Sequence, residues 1–214
     1  MRSSQWPDRD TGRSADDLPA GGRRRWLQSA GALGLWSLAA GPSLAESSAE
    51  AEALLRRGGV VVAFRHALAP GTFDPPNFRP GDCSTQRNLD DAGRAQAMRM
   101  GAWFQARQLK PARVRSSPWC RCLDTARLAF GGADAWAALG SPRGADEVTN
   151  QQSLDALRKA VASAAAQPGR FEAWVTHMFV LADLTGASTA SGEGLILAPG
   201  PGGAVRVLGR LALA

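Results

Sequence analysis

Histidine is scarce in this chain: among 214 residues there are only His66 and His177. Cysteine is scarce as well, limited to Cys83, Cys120 and Cys122. So few soft ligands make a zinc site an unfavoured reading. No carboxylate cluster has the spacing of a divalent-cation site, so neither metal nor cofactor is expected. The net charge of +6 is scattered, with no basic run and no patch interleaved with aromatics. Nucleic acid is therefore not an expected partner. Apolar runs are short, and no internal repeat is visible.

The amino terminus reads as an export signal over residues 1–45. Gly22-Arg23-Arg24-Arg25-Trp26-Leu27-Gln28 resembles a twin-arginine motif, and the charge-free Ser29–Ala40 stretch follows it. That stretch is a dozen residues long, short of the roughly 20 needed to span a bilayer. Ser43-Leu44-Ala45 places small residues where a signal peptidase reads, making Glu46 the expected first mature residue. The expectation is a periplasmic or otherwise exported bacterial protein that uses the Tat export machinery and keeps no stable membrane span. Residues 46–214 carry +4 and suffice for one domain with one core. In an oxidising envelope Cys83 would pair with Cys120 or with Cys122, leaving one thiol over.

Val60 to Phe64 (VVVAF) is a β-branched apolar run too short for a helix, which marks a buried strand. It ends on Arg65-His66. Phe171 to Thr176 (FEAWVT) is a second such run, ending on His177. Arg113–Ser116 reads as a third strand, and Gly194–Leu197 and Ala204–Leu208 as a hairpin across a Pro-Gly turn. Helices are expected from the Ser47–Glu50 capping box to Arg57, after an Asp90 N-cap, over Cys120–Phe130, over Ser153–Ala166 and over Phe179–Leu184. On the helix after Asp90, Leu89, Gly93, Ala97, Met100 and Phe104 face inward, while Arg94, Arg99 and Arg107 face water. Residues 69–83 hold too much Pro and Gly for regular structure and form a loop. Strands alternating with helices imply an α/β fold with a mostly parallel sheet.

Arg65-His66, the Arg115–Arg121 segment (RSSPWCR) and Thr176-His177 would meet at the carboxyl edge of that sheet, where ligands bind in open α/β folds. Arginine offers a planar fork of donors to phosphate oxygens. A histidine beside two arginines resists protonation and is a competent nucleophile toward phosphorus. Arg87 and Arg94 read as solvated or paired helix-start residues, and Trp119 and Trp174 as core.

Phe64-Arg65-His66-Ala67, Ser116–Arg121 with Thr125-Ala126, and Val175-Thr176-His177 resemble the histidine phosphatase superfamily in its compact branch. Arg87-Asn88-Leu89, Gly93-Arg94 and Gln96-Ala97 are similar to that family's helix after the first motif. The resemblance covers residues 60–197. It implies a three-layer α/β/α sandwich of the phosphoglycerate mutase-like type. It also implies His66 as phosphate-accepting nucleophile, with Arg65, Arg121 and His177 binding the phosphoryl group. The expected substrate is a small phosphomonoester, in the manner of small envelope members such as heptose-phosphate phosphatases a cell-envelope sugar phosphate. Met178 follows His177, so the His-Asp pair of the phytase branch is absent and the general acid is open, with Asp82 and Glu193 as candidates. Two rival readings are a catalytically silent phosphate-binding or envelope interaction protein, and a cytoplasmic phosphatase acting on phosphohistidine in proteins.

Overall fold

A computed structural model describes residues 44–142 and 147–213. The expected export signal falls mainly on residues 1–43, outside the described residues. The two apolar runs that end in histidine lie side by side as β1 (Val60–Arg65) and β4 (Phe171–Thr176), paired in parallel register from Val60↔Phe171 to Arg65↔Thr176. On one side β4 pairs with β2 (Arg113–Ser116), which pairs with the two-residue β3 (Asp134–Ala135), all parallel. On the other side β1 pairs antiparallel with β5 (Gly194–Pro199), and β5 with β6 (Val205–Leu211). The sheet order is β3-β2-β4-β1-β5-β6.

Strand residues alternate between two helical layers. Val60, Val62, Phe64, Ala173 and Ile196 share one core with α1 (Leu44–Arg57) and α2 (Asp91–Ala106). Val61, Ala63, Trp174, Leu195 and Leu197 share the other with α4 (Glu147–Ala165) and α5 (Met178–Thr185). The helix α3 (Cys120–Phe130) lies on the α2 side, where Phe130 meets Phe64 and Phe104. Burial on both faces explains why β1 is apolar from Val60 to Phe64 instead of alternating. The expected α/β/α layering is thus present.

Several local expectations shift. The first helix starts at Leu44, so Ser47 lies within it and is not its cap. The fourth starts at Glu147, six residues before Ser153, because 147–152 is polar and offers no periodic signal even though nothing in it breaks a helix. The short β3 was not expected, and only a 3-10 turn (Ala137–Leu139) stands beside it. Arg107 is only partly in water: its guanidinium lies over Trp103 at 4.4 Å and pairs with Glu52 at 3.1 Å.

The start of α2 fixes the loop that leaves β1. Asp90 caps the helix by accepting from the Gly93 amide at 2.7 Å. Gly93 is there for closeness: a Cβ at that position would lie 1.9 Å from the Leu68 carbonyl oxygen. Gln96, one turn further on, accepts from the Leu68 amide (2.9 Å) and donates to the Ser191 carbonyl (2.8 Å). Helix and post-strand loop are therefore locked together two residues past His66. Gly93→Ala is expected to lower stability by about 1–3 kcal/mol, the usual range for overpacking, read as a drop in urea midpoint with unchanged slope.

Candidate active site

Four backbone segments converge where β1, β2 and β4 end. The His66 amide donates to the Thr176 carbonyl (2.9 Å) and the Ser117 amide to the Val175 carbonyl (2.9 Å), so β4 holds both neighbours in place. The Ala67 amide donates to Thr125 Oγ1 (3.0 Å), whose hydroxyl donates to the Arg121 carbonyl (2.7 Å). This latch ties α3 to the residue after His66 and gives Thr125 its place in the motif. Cys83 is bonded to Cys120, the first residue of α3, with Cα atoms 5.7 Å apart. The disulfide therefore fastens the 69–83 loop beside Arg121, and of the two pairings open to Cys83 it is Cys120 that is used. Cys122 stays a buried thiol, its pKa pushed up to about 12 by burial.

All four expected site residues meet here. Buried His66 and His177 lie edge to face, ring centroids 5.6 Å apart. Between them runs Arg121, with Nε 3.2 Å from His66 Nε2 and Nη2 3.4 Å from His177 Nδ1. His66 Nδ1 sits 2.7 Å from the Ala67 carbonyl oxygen. A carbonyl only accepts, so Nδ1 carries the hydrogen and Nε2 presents a lone pair to the cavity. His177 Nε2 is hydrogen-bonded to the Ser117 hydroxyl at 2.8 Å. Arg65 lines the same cavity and donates Nη1 to the Thr189 carbonyl at 2.9 Å.

Sequence reasoning misses three further members. Arg87, expected to be a helix-start cation, lines the cavity and donates Nη1 to the carbonyls of Ala69 and Gly71. Arg94 does stay at the helix start, donating to the Leu89 carbonyl and pairing with Asp91. Trp119, expected in the core, forms a wall: it stacks on Phe78 (5.4 Å) and meets the His177 ring edge-on (5.3 Å). Trp174 is core as expected. The third is Asp74, hidden in the Pro-Gly loop. Its carboxylate accepts from Arg121 Nη1 (2.8 Å) and Nη2 (3.2 Å) and from the Arg87 amide (3.0 Å). No helical or strand period marks a loop residue, so only its acidity in a phosphate-motif context could have drawn attention to it. The two candidate acids do not reach the cavity. Asp82 caps a 3-10 turn through the Ser84 amide, and Glu193 accepts from the Ala190 amide and Arg210.

The electrostatics favour an anionic guest. Three guanidinium groups face one carboxylate in a cavity of 420 Å³. Arg65 and Arg87 each keep a buried Nε with no hydrogen-bond partner, so donors remain in surplus. Helices α3 and α5 also begin at this edge, and helix N-termini favour negative charge. The histidines are held neutral. Burial is the main cause for His66; the Ala67 carbonyl opposes it, and Arg121, Arg65 and Arg87 reinforce it, bringing the pKa down to about 3. His177 is likewise pushed well below its ordinary value by burial and then by Arg121. A neutral, oriented imidazole lone pair in a cationic cavity can attack an electrophile that carries negative charge, and phosphorus in a phosphoryl group is such a centre.

The fold is shared with solved structures. The chain has the phosphoglycerate mutase-like fold. The alpha-ribazole phosphatase from Shigella flexneri superimposes with a TM-score of 0.52 at 14% identity, covering 72% of this chain and 97% of that one. The Rv3214 protein of Mycobacterium tuberculosis does so with 0.51 at 18%, covering 69% and 94%. The protein histidine phosphatase SixA, in a tungstate complex, gives 0.47 at 18%, covering 72% and 96%. At these identities the likeness is one of fold. No family model and no curated protein matches the sequence.

Because these are the chain's only two histidines, their ring resonances are directly readable by NMR. His66 is expected to remain the neutral Nδ1–H tautomer from about pH 8 to pH 5, with no midpoint near the ordinary value of about 6.5. A midpoint there would contradict the buried, cation-flanked ring. The unfolded chain, by contrast, takes up this proton as pH falls below that value. Stability is thus whole above about pH 6.5 and falls as pH drops toward 3, by on the order of 3 kcal/mol for His66 at about pH 4.

Proposed function

We propose that this chain is a phosphohydrolase that removes the phosphoryl group of a phosphomonoester through a phosphohistidine on His66. One observation carries the reading: the Nδ1–H bond to the Ala67 carbonyl fixes His66 Nε2 as the lone-pair nitrogen facing the cavity, where it accepts from Arg121 Nε at 3.2 Å in the resting site. In the reaction, Nε2 attacks phosphorus as the bond to the leaving oxygen breaks. Water then attacks phosphorus in line, freeing the imidazole and inorganic phosphate. Arg65, Arg87 and Arg121 spread positive charge over the equatorial oxygens, so charge stabilisation requires no metal ion. Arg121 Nη2 can only donate to His177 Nδ1, so His177 carries its hydrogen on Nε2, donates it to the Ser117 hydroxyl, and helps to hold the guanidinium that binds those oxygens.

The mouth of the cavity suits a leaving group with an apolar face. Phe73 and Phe179 are 55% and 38% exposed, Met178 is 37% exposed, and Phe78 and Trp119 stack opposite. A cell-envelope sugar phosphate, suggested by the family resemblance, would lay a ring face on these walls and leave its hydroxyls to water at the rim. Export remains part of the proposal. The Cys83–Cys120 disulfide supports it, because such bonds persist in oxidising compartments. Sequencing the mature amino terminus should give Glu46.

One observation favours a second reading, a catalytically silent phosphate-binding protein: the Asp74 carboxylate already occupies the Arg121 fork. The two readings part on a direct assay. The protein is expected to hydrolyse p-nitrophenyl phosphate in the presence of EDTA, and His66→Ala is expected to lose at least about 10³-fold in kcat. Phosphate binding without turnover in either protein would establish the silent reading instead.

A further inference from the structure

We propose that Asp74 is the acid–base residue of this site, armed when the substrate's phosphoryl group displaces its carboxylate from Arg121. This rests on the phosphohistidine reading above and supplies the proton donor that the sequence motifs leave open.

The placement is specific. Among the described residues that line the cavity, Asp74 is the only carboxylic acid. Its two oxygens take Arg121 Nη1 and Nη2 in a forked pair, at 2.8 and 3.2 Å. A phosphoryl group would claim that same fork, since the same guanidinium points Nε at the nucleophilic nitrogen of His66. The carboxylate thus stands in for the substrate's anion in the resting protein. Its side chain is 19% exposed against 5% for Arg121, so it lies on the entrance side of the pair. It also sits in the Pro- and Gly-rich stretch between β1 and the disulfide, outside any helix or strand. The carboxylate can therefore move aside while Arg121, on α3, stays.

Displacement reverses the charge logic. In the resting site, burial alone would raise the Asp74 pKa, but the Arg87 amide and the Arg121 guanidinium outweigh it and hold the carboxyl below the usual carboxylate range. The charged and titratable groups facing it are Arg121 on α3, Arg87 before α2, Arg65 and His66 at the end of β1, and His177 ahead of α5. When a dianion takes the Arg121 fork, that favourable pairing is lost and a like charge stands beside the carboxylate. Both changes favour its protonated form. The carboxyl group then gives its proton to the leaving oxygen as the P–O bond breaks and the His66 Nε2–P bond forms. In the second half, the carboxylate takes a proton from the attacking water as the N–P bond breaks. Inorganic phosphate leaves, and Asp74 is again a carboxylic acid until the dianion departs.

Two measurements test this. The first needs no variant: sulfate, a tetrahedral dianion with no exchangeable proton near neutrality, is titrated into the protein by calorimetry in buffers of different ionisation enthalpy. Wild type is expected to take up about one proton per sulfate at about pH 6, and Asp74→Asn none. Equal uptake by the two proteins, or no uptake by wild type, would overturn the proposal. The second follows phosphohistidine formation in the pre-steady state. With an alkyl phosphate, Asp74→Asn should slow this step by about 10²–10⁴-fold, the usual reach of general acid catalysis. With p-nitrophenyl phosphate, whose leaving group needs no proton, it should slow it far less. An equal loss with both substrates would assign Asp74 a positioning role only. Failure of wild type to form phosphohistidine at all would instead mark failure of the underlying reading, and the sulfate result separates the two cases.

Discussion

Arg121 is a cation with 5% of its side chain exposed, and a charge so far from water has to be satisfied on every side. Each donor of its guanidinium points at a group of the site: Nε at His66, one Nη at both His177 and Asp74, the other at Asp74 alone. The surrounding structure is arranged to keep it there. Thr125 holds its carbonyl, the Cys83–Cys120 disulfide anchors the residue before it, and Gln86 accepts from the Cys120 amide. Remove any one and the guanidinium could swing; together they fix a rigid donor array before any ligand arrives, which is what electrostatic catalysis demands.

That buried charge also sets the state of its neighbours. Burial first, and then contact with the same guanidinium, keeps both imidazoles from accepting protons, so both histidines stay neutral, one of them with an oriented lone pair. The lone carboxylate in the cavity is drawn onto the same fork and held ionised. In the proposed reaction, nucleophile, phosphate seat and acid are coupled through this one residue, and the arrival of a dianion would redistribute the charges. The cost is a site with more donors than acceptors, visible as the unpartnered Nε atoms of Arg65 and Arg87, and an anionic guest is what balances it.

Much of this was legible in the primary structure because it depends on local pattern. Apolar runs of strand length, caps such as Asp90, and Gly131 and Gly186 closing α3 and α5 act within a few residues of themselves. The boundaries of α3 and the pairing of His66, Arg121 and His177 followed from such signals. Where local pattern was weak the reading shifted: the polar start of α4 and the two-residue β3 carry no periodicity of their own. Arg107 read as facing water and Arg87 as solvated or paired for the same reason, since each has partners far along the chain, Glu52 for one and the 69–71 carbonyls for the other.

By itself, then, the sequence determined through short-range chemistry the alternation of strands and helices and the buried pair of strands tipped by His66 and His177, while the family resemblance of its motifs singled out Arg65 and Arg121 beside them. Only the tertiary structure decided which cysteine joins Cys83, that Trp119 walls the cavity, and that Asp74 rather than Asp82 or Glu193 faces Arg121 there. The reason is geometric. A loop residue's direction is set by the elements at its two ends, here β1 and the disulfide, and no repeat within the loop encodes where it will point.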